Sequence, residues 1–308
     1  MRALPISERL STPATLNRRS NRLVFWLLLP SLIIFAVFAI WPTIEAILIS
    51  FSRYNLTDPN AQRTFIGLEN YRAVLTDQIF WGDLWRSFKF ALFTVGVSLT
   101  FGFYIAYLLS KAGRGKNVFR ILFLVPMTIS PAITALSFKF MLNYDFGVIN
   151  SILMSLVGRK VNLLGDAKLA LWACAGIDVW IWTPLAVLIV LSGLESLPEE
   201  VFEAAALDGA GTGSMLWYIT LPLMKRFLLI AILIRVMDAF RVYETIQLTT
   251  AGGPGNLSEI LNVYIARVGF SFFELGPASA MALILTFIII SIGTIFVKQS
   301  GAFEEIYQ

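Results

Sequence analysis

The sequence predicts an all-α, polytopic membrane protein. Three observations predict it. Of the 308 residues, 57% are hydrophobic and only 14% are charged, against about 25% charged in a typical soluble domain. Six apolar segments reach the roughly 20 residues that a spanning helix needs, at 23–51, 88–109, 121–142, 169–191, 227–248 and 278–297. No segment alternates in the manner of a barrel strand, so backbone groups in hydrocarbon must be satisfied within helices.

The elements follow in order. Residues 1–22 form a polar tail with Arg2, Arg9, Arg18, Arg19 and Arg22. The apolar segment behind it is too long for a signal-peptide core, which predicts an anchored first span that is long enough to tilt. The next loop, 52–86, contains "FIGLENYRAVL", whose apolar spacing predicts a short interfacial helix. The second span leads into a loop with Lys111, Arg114, Lys116 and Arg120 and no acid. Prolines at 30, 42, 126, 131 and 184 predict kinks in the first, third and fourth spans. The fourth span carries Asp178. The fifth carries Arg235, Asp238 and Arg241 at i,i+3 steps, with Glu244 continuing the series, so neighbours there can pair within one helix. Lys225 and Arg226 precede the fifth span and Lys298 follows the sixth. With six spans all these cation clusters fall on one side, which predicts that side, and both termini, to be cytoplasmic.

That orientation places the stretch 196–222, "SLPEEVFEAAALDGAGTGSMLWYITLP", inside the cell. Ser196 and Glu199 read as a capping box with Pro198 in the first turn, and "EEVFEAAAL" is made of strong helix formers. "DGAGTG" then supplies the free backbone angles of a sharp turn. The expected form is two short helices joined at an elbow and lying across the membrane face. Ala204, Ala205, Ala206, Gly209 and Ala210 would let another backbone approach closely.

Several function classes are excluded. With no histidine, His-dependent triads, HExxH zinc sites and His-ligated haem are impossible. Cys174 is alone, so there is no intramolecular disulfide. "GAGTGS" and "AGRGKN" both lack the spacing of a phosphate-binding P-loop. No catalytic or metal-ligating set is expected, and ATP and Mg, if used, belong to another chain.

"EAAALDGAGTGSMLWYITLPLM" resembles the EAA loop of permease subunits of binding-protein-dependent ABC importers: Glu203-Ala204-Ala205, Asp208-Gly209-Ala210 and Ile219-Thr220-Leu221-Pro222 fit its pattern. "LLLPSLIIFAVFAIWP", "FIGLENY", "RILFLVPMTISPAITALSFKFMLNYDFGVIN" and "LTTAGGPGNLSE" look like the maltose-type carbohydrate permeases within that family. The resemblance implies a tail at 1–22, a first span and outer loop at 23–86, a core permease domain at 87–298 and a tail at 299–308. It implies that Glu200, Glu203, Ala204, Ala205, Asp208, Gly209, Ala210, Leu221 and Pro222 form a coupling element that docks on a cytoplasmic ATPase. It further implies a second, homologous permease subunit, an extracytoplasmic solute-binding protein, a bacterial inner-membrane location and a carbohydrate substrate.

Ionisable residues within spans are functional candidates because they are costly in hydrocarbon. Aligned by resemblance on the "W-x-x-P" of Trp180–Pro184 and on Gly252-Gly253-Pro254, the residues that fall on sugar-facing positions are Asp178, Ile181, Trp182, Leu185, Asp238, Ala239 and Val242. A rival reading is an autonomous channel or ion-coupled carrier using the same charged series, but it leaves the elbow at 196–222 without a purpose.

Overall fold

The computed structural model describes residues 14–57, 63–113 and 115–300. Of the features used to predict orientation and segmentation, Arg2, Arg9, Arg114 and the tail 301–308 lie outside the described residues. The first span is α1 (Ala14–Phe35) and α2 (Trp41–Ser50), joined by a π-helical turn at Ala36–Ile40. Pro42 stands one residue beyond that turn, after Trp41. Proline has no N–H and crowds the carbonyl one turn back, and a widened turn accommodates both effects without stopping the helix. Within 24–50 only Ser50 is buried, so the span stands largely clear of the rest of the chain.

A two-residue antiparallel pair, β1 (Ser52–Arg53) with β2 (Thr64–Phe65), and α3 (Glu69–Thr76) close the loop that follows. The helix within "FIGLENYRAVL" is therefore present from Glu69 onward. Its buried Asn70 donates to the backbone carbonyls of Ser50 and Ser52 at 2.8 and 2.9 Å.

The second span, α4 (Gln78–Lys111), begins ahead of its apolar segment. Asp77 caps it, accepting from the Ile79 N–H at 2.8 Å, and Arg86 pairs with the buried Asp83 in the polar first turns. The third segment, predicted as one span over 121–142, is instead a pair, α5 (Lys116–Thr128) and α6 (Pro131–Met141), bent by 91°. Ile129 and Ser130 are extended, with ψ of 136° and 132°. Proline at 131 disfavours the helical conformation at the residue before it, which breaks the helix there.

After α7 (Val148–Val157) comes α8 (Ala170–Glu195), unbroken through Pro184. The loop region then holds α9 (Glu199–Leu207) and α10 (Thr212–Met215). A second π-helical turn, Leu216–Thr220, leads through α11 (Leu221–Leu223) into α12 (Lys225–Ala239). The predicted fifth span, 227–248, is not one helix: α12 stops at Ala239 and α13 (Glu244–Thr249) resumes after a break. The chain ends in α14 (Leu261–Ala266) and α15 (Leu275–Ser300). Among the described residues, four helices are long and apolar enough to cross a bilayer, or five with the bent α5–α6 pair taken as one span, against the six predicted.

The most extensive helix seam is between α4 and α8, while the largest buried apolar cluster joins α4 to α12, α14 and α15. A Cβ built on Gly102 would lie 2.6 Å from Ala186 Cβ and 3.2 Å from the Val187 nitrogen, so the two backbones touch there. On the same helix, a Cβ on Gly96 meets nothing within 4 Å. At one end of the bundle, a buried polar knot ties α4 to the segment before α14. Arg267 reaches the fully buried Glu259 at 2.7 Å and Asn256 at 2.9 Å, and Arg86 Nε donates to the Glu259 carbonyl at 2.8 Å. Burial, together with the Asp83 carboxylate, pushes the Glu259 carboxyl up to about 7 despite Arg267 and Arg86.

Two outcomes follow. Gly102→Ala lowers the thermal midpoint of the detergent-solubilised chain through overpacking, at a cost of about 1–3 kcal/mol, whereas Gly96→Ala leaves it unchanged or raises it. Glu259 holds its proton in the fold at pH values where the unfolded chain has lost it. Its stabilising share is therefore present below the ordinary carboxylate range and is lost as pH rises to about 7. Thermal midpoints from pH 5 to pH 8 should fall in the native chain, with a smaller fall in Glu259→Gln.

Candidate functional site: an elbow and a buried ion cluster

The elbow forms as predicted in outline, with two corrections. Ser196 does not cap α9. Its hydroxyl donates to the Gly193 carbonyl at 2.7 Å, finishing α8, and the N-cap position falls to Pro198, which offers no side-chain hydrogen bond. The second arm is also not a separate short helix. Helical hydrogen bonding runs from α10 through the π turn to α12, with Met224 N–H bonded to the Thr220 carbonyl and Leu228 N–H to that of Met224, each at 2.9 Å. The π turn again stands directly before a Leu-Pro or Trp-Pro step, here Leu221-Pro222.

Of the expected coupling residues, Glu200, Glu203, Ala204 and Ala205 lie on α9, which has no buried residue along its length. Asp208 ends that helix and Gly209 turns the chain with φ of +80°, a conformation open to glycine and strained for most other residues. The Ala210 N–H closes the turn on the Ala205 carbonyl at 2.9 Å. Leu221 and Pro222 lie about ten residues further on, in the helix that leads to α12. The elbow's root, in contrast, is packed tightly. Met224 is fully buried, and a Cβ on Gly193 would lie 2.7 Å from Met224 Cε and 2.6 Å from the Phe227 ring. The elbow is thus bolted to the ends of α8 and α12, while no residue of α9 is buried. Arg120, at the start of α5, lies 3.8 Å from Glu195 at the end of α8.

The other predicted residues divide between α8 and the end of α12. Asp178, Ile181 and Ala239 are buried, with 0%, 2% and 1% exposure. Trp182 and Leu185 are half-buried, Val242 is buried, and the Asp238 side chain keeps 29% of its surface. The structure brings Asp178 and Asp238 together through Arg235, a residue outside the predicted set. The fully buried guanidinium lies 2.8 Å from Asp178 and 3.0 Å from Asp238, and its Nε is 3.4 Å from Ser98 of α4. It also sits 5.8 Å from the Trp182 ring centre. The i,i+3 spacing made the Arg235–Asp238 pair legible. The Asp178 partner is 57 residues away, and its only signal was that each of the two spans carries a costly charge of opposite sign.

The break after Ala239 lies beside this cluster. Asn262 of α14 donates to the freed carbonyls of Phe240 and Val242 at 2.8 and 3.2 Å, and Arg241 is exposed. Broken backbone at membrane depth persists only where protein buries it or where it lines a cavity.

The family model for "Binding-protein-dependent transport system inner membrane component" matches residues 98–300. The chain belongs to this family. It is the multi-pass membrane component of a binding-protein-dependent ABC importer, a transport subunit and not an enzyme, and it works with an ATPase and a solute-binding protein. It is 33% identical to the trehalose/maltose transport system permease protein MalF of Thermococcus litoralis, over 94% of this chain and 97% of that one. It is 28% identical to the arabinooligosaccharides transport system permease protein AraP of Bacillus subtilis, over 89% and 87%. Its fold matches a chain of the bacterial alginate ABC transporter in complex with alginate pentasaccharide-bound periplasmic protein, with a TM-score of 0.80 and 18% identity over 92% of this chain and 96% of that chain.

Loss of the buried cation should be severe. Arg235→Met leaves the buried Asp178 without its counter-charge, which costs about 3–5 kcal/mol. Adding Asp178→Asn to Arg235→Met should recover much of the loss, read as the yield of monodisperse protein after extraction.

Proposed function

We propose that the chain is one permease subunit of an ATP-driven importer for a carbohydrate. It forms half of the pathway with a second homologous permease, its termini and elbow are cytoplasmic, and ATP and Mg are bound by the ATPase partner. The observation that carries this reading is the elbow itself: a helix with no buried residue, closed by a positive-φ glycine, on a root wedged between α8 and α12. A short helix with no buried residue draws little stability from the rest of the chain, so a docking partner gives α9 its purpose. The carbohydrate class is supported by the names of the relatives, which include permeases for trehalose and maltose, arabinooligosaccharides and sulfoquinovosyl glycerol.

The mechanism follows from where the parts are fixed. Closure of the ATPase displaces α9 and α10. Met224 and Phe227 are packed into Gly193, so displacement of the elbow root carries the ends of α8 and α12 with it. Those two helices hold Asp178, Arg235 and Asp238 at their other end of contact, so the motion reaches the pathway without passing through a flexible segment. Glu200, Glu203 and Asp208 offer charges to the partner surface, which set orientation and partner choice more than affinity. Alternating access then follows from rigid-body motion of the packed helices.

In proteoliposomes holding the full importer, Gly209→Val should abolish ATP-driven uptake with membrane insertion unchanged. Gly209→Asn should keep most of it, because asparagine tolerates positive φ better than other side chains. A Cβ at 209 meets nothing within 4 Å, so loss in the valine variant would reflect backbone conformation and not a clash inside this chain.

A further inference from the structure

We propose that the groove walled by α4 and α5 over α8 is a lipid site. It seats one acyl chain of an anionic phospholipid, whose phosphate lies at the basic turn that joins α4 to α5. The site lies apart from the solute path and goes beyond the importer reading above without depending on it.

The groove follows from how the three helices meet. α4 and α8 touch backbone to backbone at Gly102, while α5 leans on α8 and scarcely meets α4. The gap left between α4 and α5 has a volume of about 300 Å³. Phe101 and Ile105 form one wall, Phe123 and Pro126 the other, and Val179 and Val187 lie on the floor. Thr183 also lines it, but its hydroxyl donates to the Val179 carbonyl at 2.6 Å, so the groove is apolar. Its rim is open: Phe101, Phe123 and Trp180 keep 56%, 40% and 40% exposure. No residue of 117–128 is buried, so α5 is a wall with an uncovered side. At 3.6 residues per turn, Val179, Thr183 and Val187 fall on the opposite side of α8 from Asp178, Ile181 and Leu185. The groove and the ion cluster therefore stand back to back.

Two observations name the occupant. The first is size. From Gly176 to Val187 the floor runs about 16 Å, close to half of the roughly 30 Å hydrocarbon core, the depth of one leaflet. A helix, about 10 Å across with its side chains, would need several times the groove's volume over that length. An acyl chain is a single thin strand and needs no more than a crevice. The second is charge. The chain passes from α4 to α5 within 112–115, so the groove closes at the end where Lys111 and Arg120 stand. From 111 to 120 the sequence carries Lys111, Arg114, Lys116 and Arg120 and no acid. Lys111 is exposed. Arg120 is 3.8 Å from Glu195, beyond hydrogen-bond length, so its guanidinium keeps donors for a phosphate. A basic cluster at the mouth of a crevice between spanning helices suits an anionic head group. A neutral lipid would fill the groove and leave those cations unmatched.

Two arms test this in the complete importer, held in vesicles of phosphatidylcholine and phosphatidylglycerol in equal parts. In the first, the complex is extracted in mild detergent and its retained lipid is counted by native mass spectrometry. The native complex should keep phosphatidylglycerol over phosphatidylcholine by at least about fivefold. Gly176 lines the groove, and a Cβ there meets nothing within 4 Å, so Gly176→Leu fills the groove without a clash at its Cβ. That variant should retain one phosphatidylglycerol fewer per copy of this chain. Lys111→Gln with Arg120→Gln should keep the lipid count and lose the preference. An unchanged count in Gly176→Leu, or loss of the second permease in place of lipid, would overturn the proposal. In the second arm, brominated acyl chains quench tryptophan emission, and the Trp180 share is the difference between the native complex and Trp180→Phe. Brominated phosphatidylglycerol should quench that share at least about twofold more than brominated phosphatidylcholine at equal mole fraction. Equal quenching would refute the site. Neither readout depends on the solute or on which membrane face carries the turn, so failure here leaves the importer reading standing.

Discussion

Hydrocarbon leaves no place for an unpaired charge, and for Asp178 and Asp238 this constraint is met by the Arg235 guanidinium. It joins α4, α8 and α12 through Ser98, Asp178 and Asp238, all within 3.4 Å. A buried ion pair contributes little net stability against an apolar replacement, but removing one partner is expensive. The cluster therefore specifies one register of α4, α8 and α12 more than it stabilises the bundle. The close backbone approach at Gly102 and Ala186 fixes the same seam from the apolar side. With both in place, α8 and α12 cannot slide independently, and a displacement applied at the Gly193–Met224–Phe227 wedge is felt at the ion cluster.

Proline shapes the rest. Pro42 and Pro222 each stand two residues into a helix that resumes after a π-helical turn, and the helix continues past both. Pro131 acts differently. It stands after two extended residues and turns the chain by 91°, so one predicted span becomes a bent pair. Pro184 leaves α8 unbroken. The same residue type thus widens, breaks or spares a helix according to what surrounds it, and the sequence alone supplied no means of telling these outcomes apart.

Much of the architecture was legible. Long apolar runs located the crossing segments, because hydrophobic length maps directly onto bilayer thickness. The elbow was legible because glycine spacing and helix formers are local signals. What local signals could not supply were the contacts between distant segments. The Ser196 hydroxyl belonged to the end of α8 and not to the start of α9, a choice decided by where α8 stops. The helical run from Thr212 into α12 was hidden by Pro222, which reads as a boundary. The Asp178–Arg235 pair was hidden because its members are 57 residues apart, and spacing within one helix pointed to Asp238 alone.

The central claim is that α9, which has no buried residue of its own, is the surface through which an ATPase drives the membrane helices. Backbone hydrogen exchange over Glu199–Leu207 tests it most directly, comparing the isolated chain in detergent with the assembled importer. Exchange should be fast in the isolated chain and slower by at least about tenfold on assembly, since protection follows tertiary contact. Equal exchange in the two states, with α9 already protected alone or still open in the complex, would contradict the account.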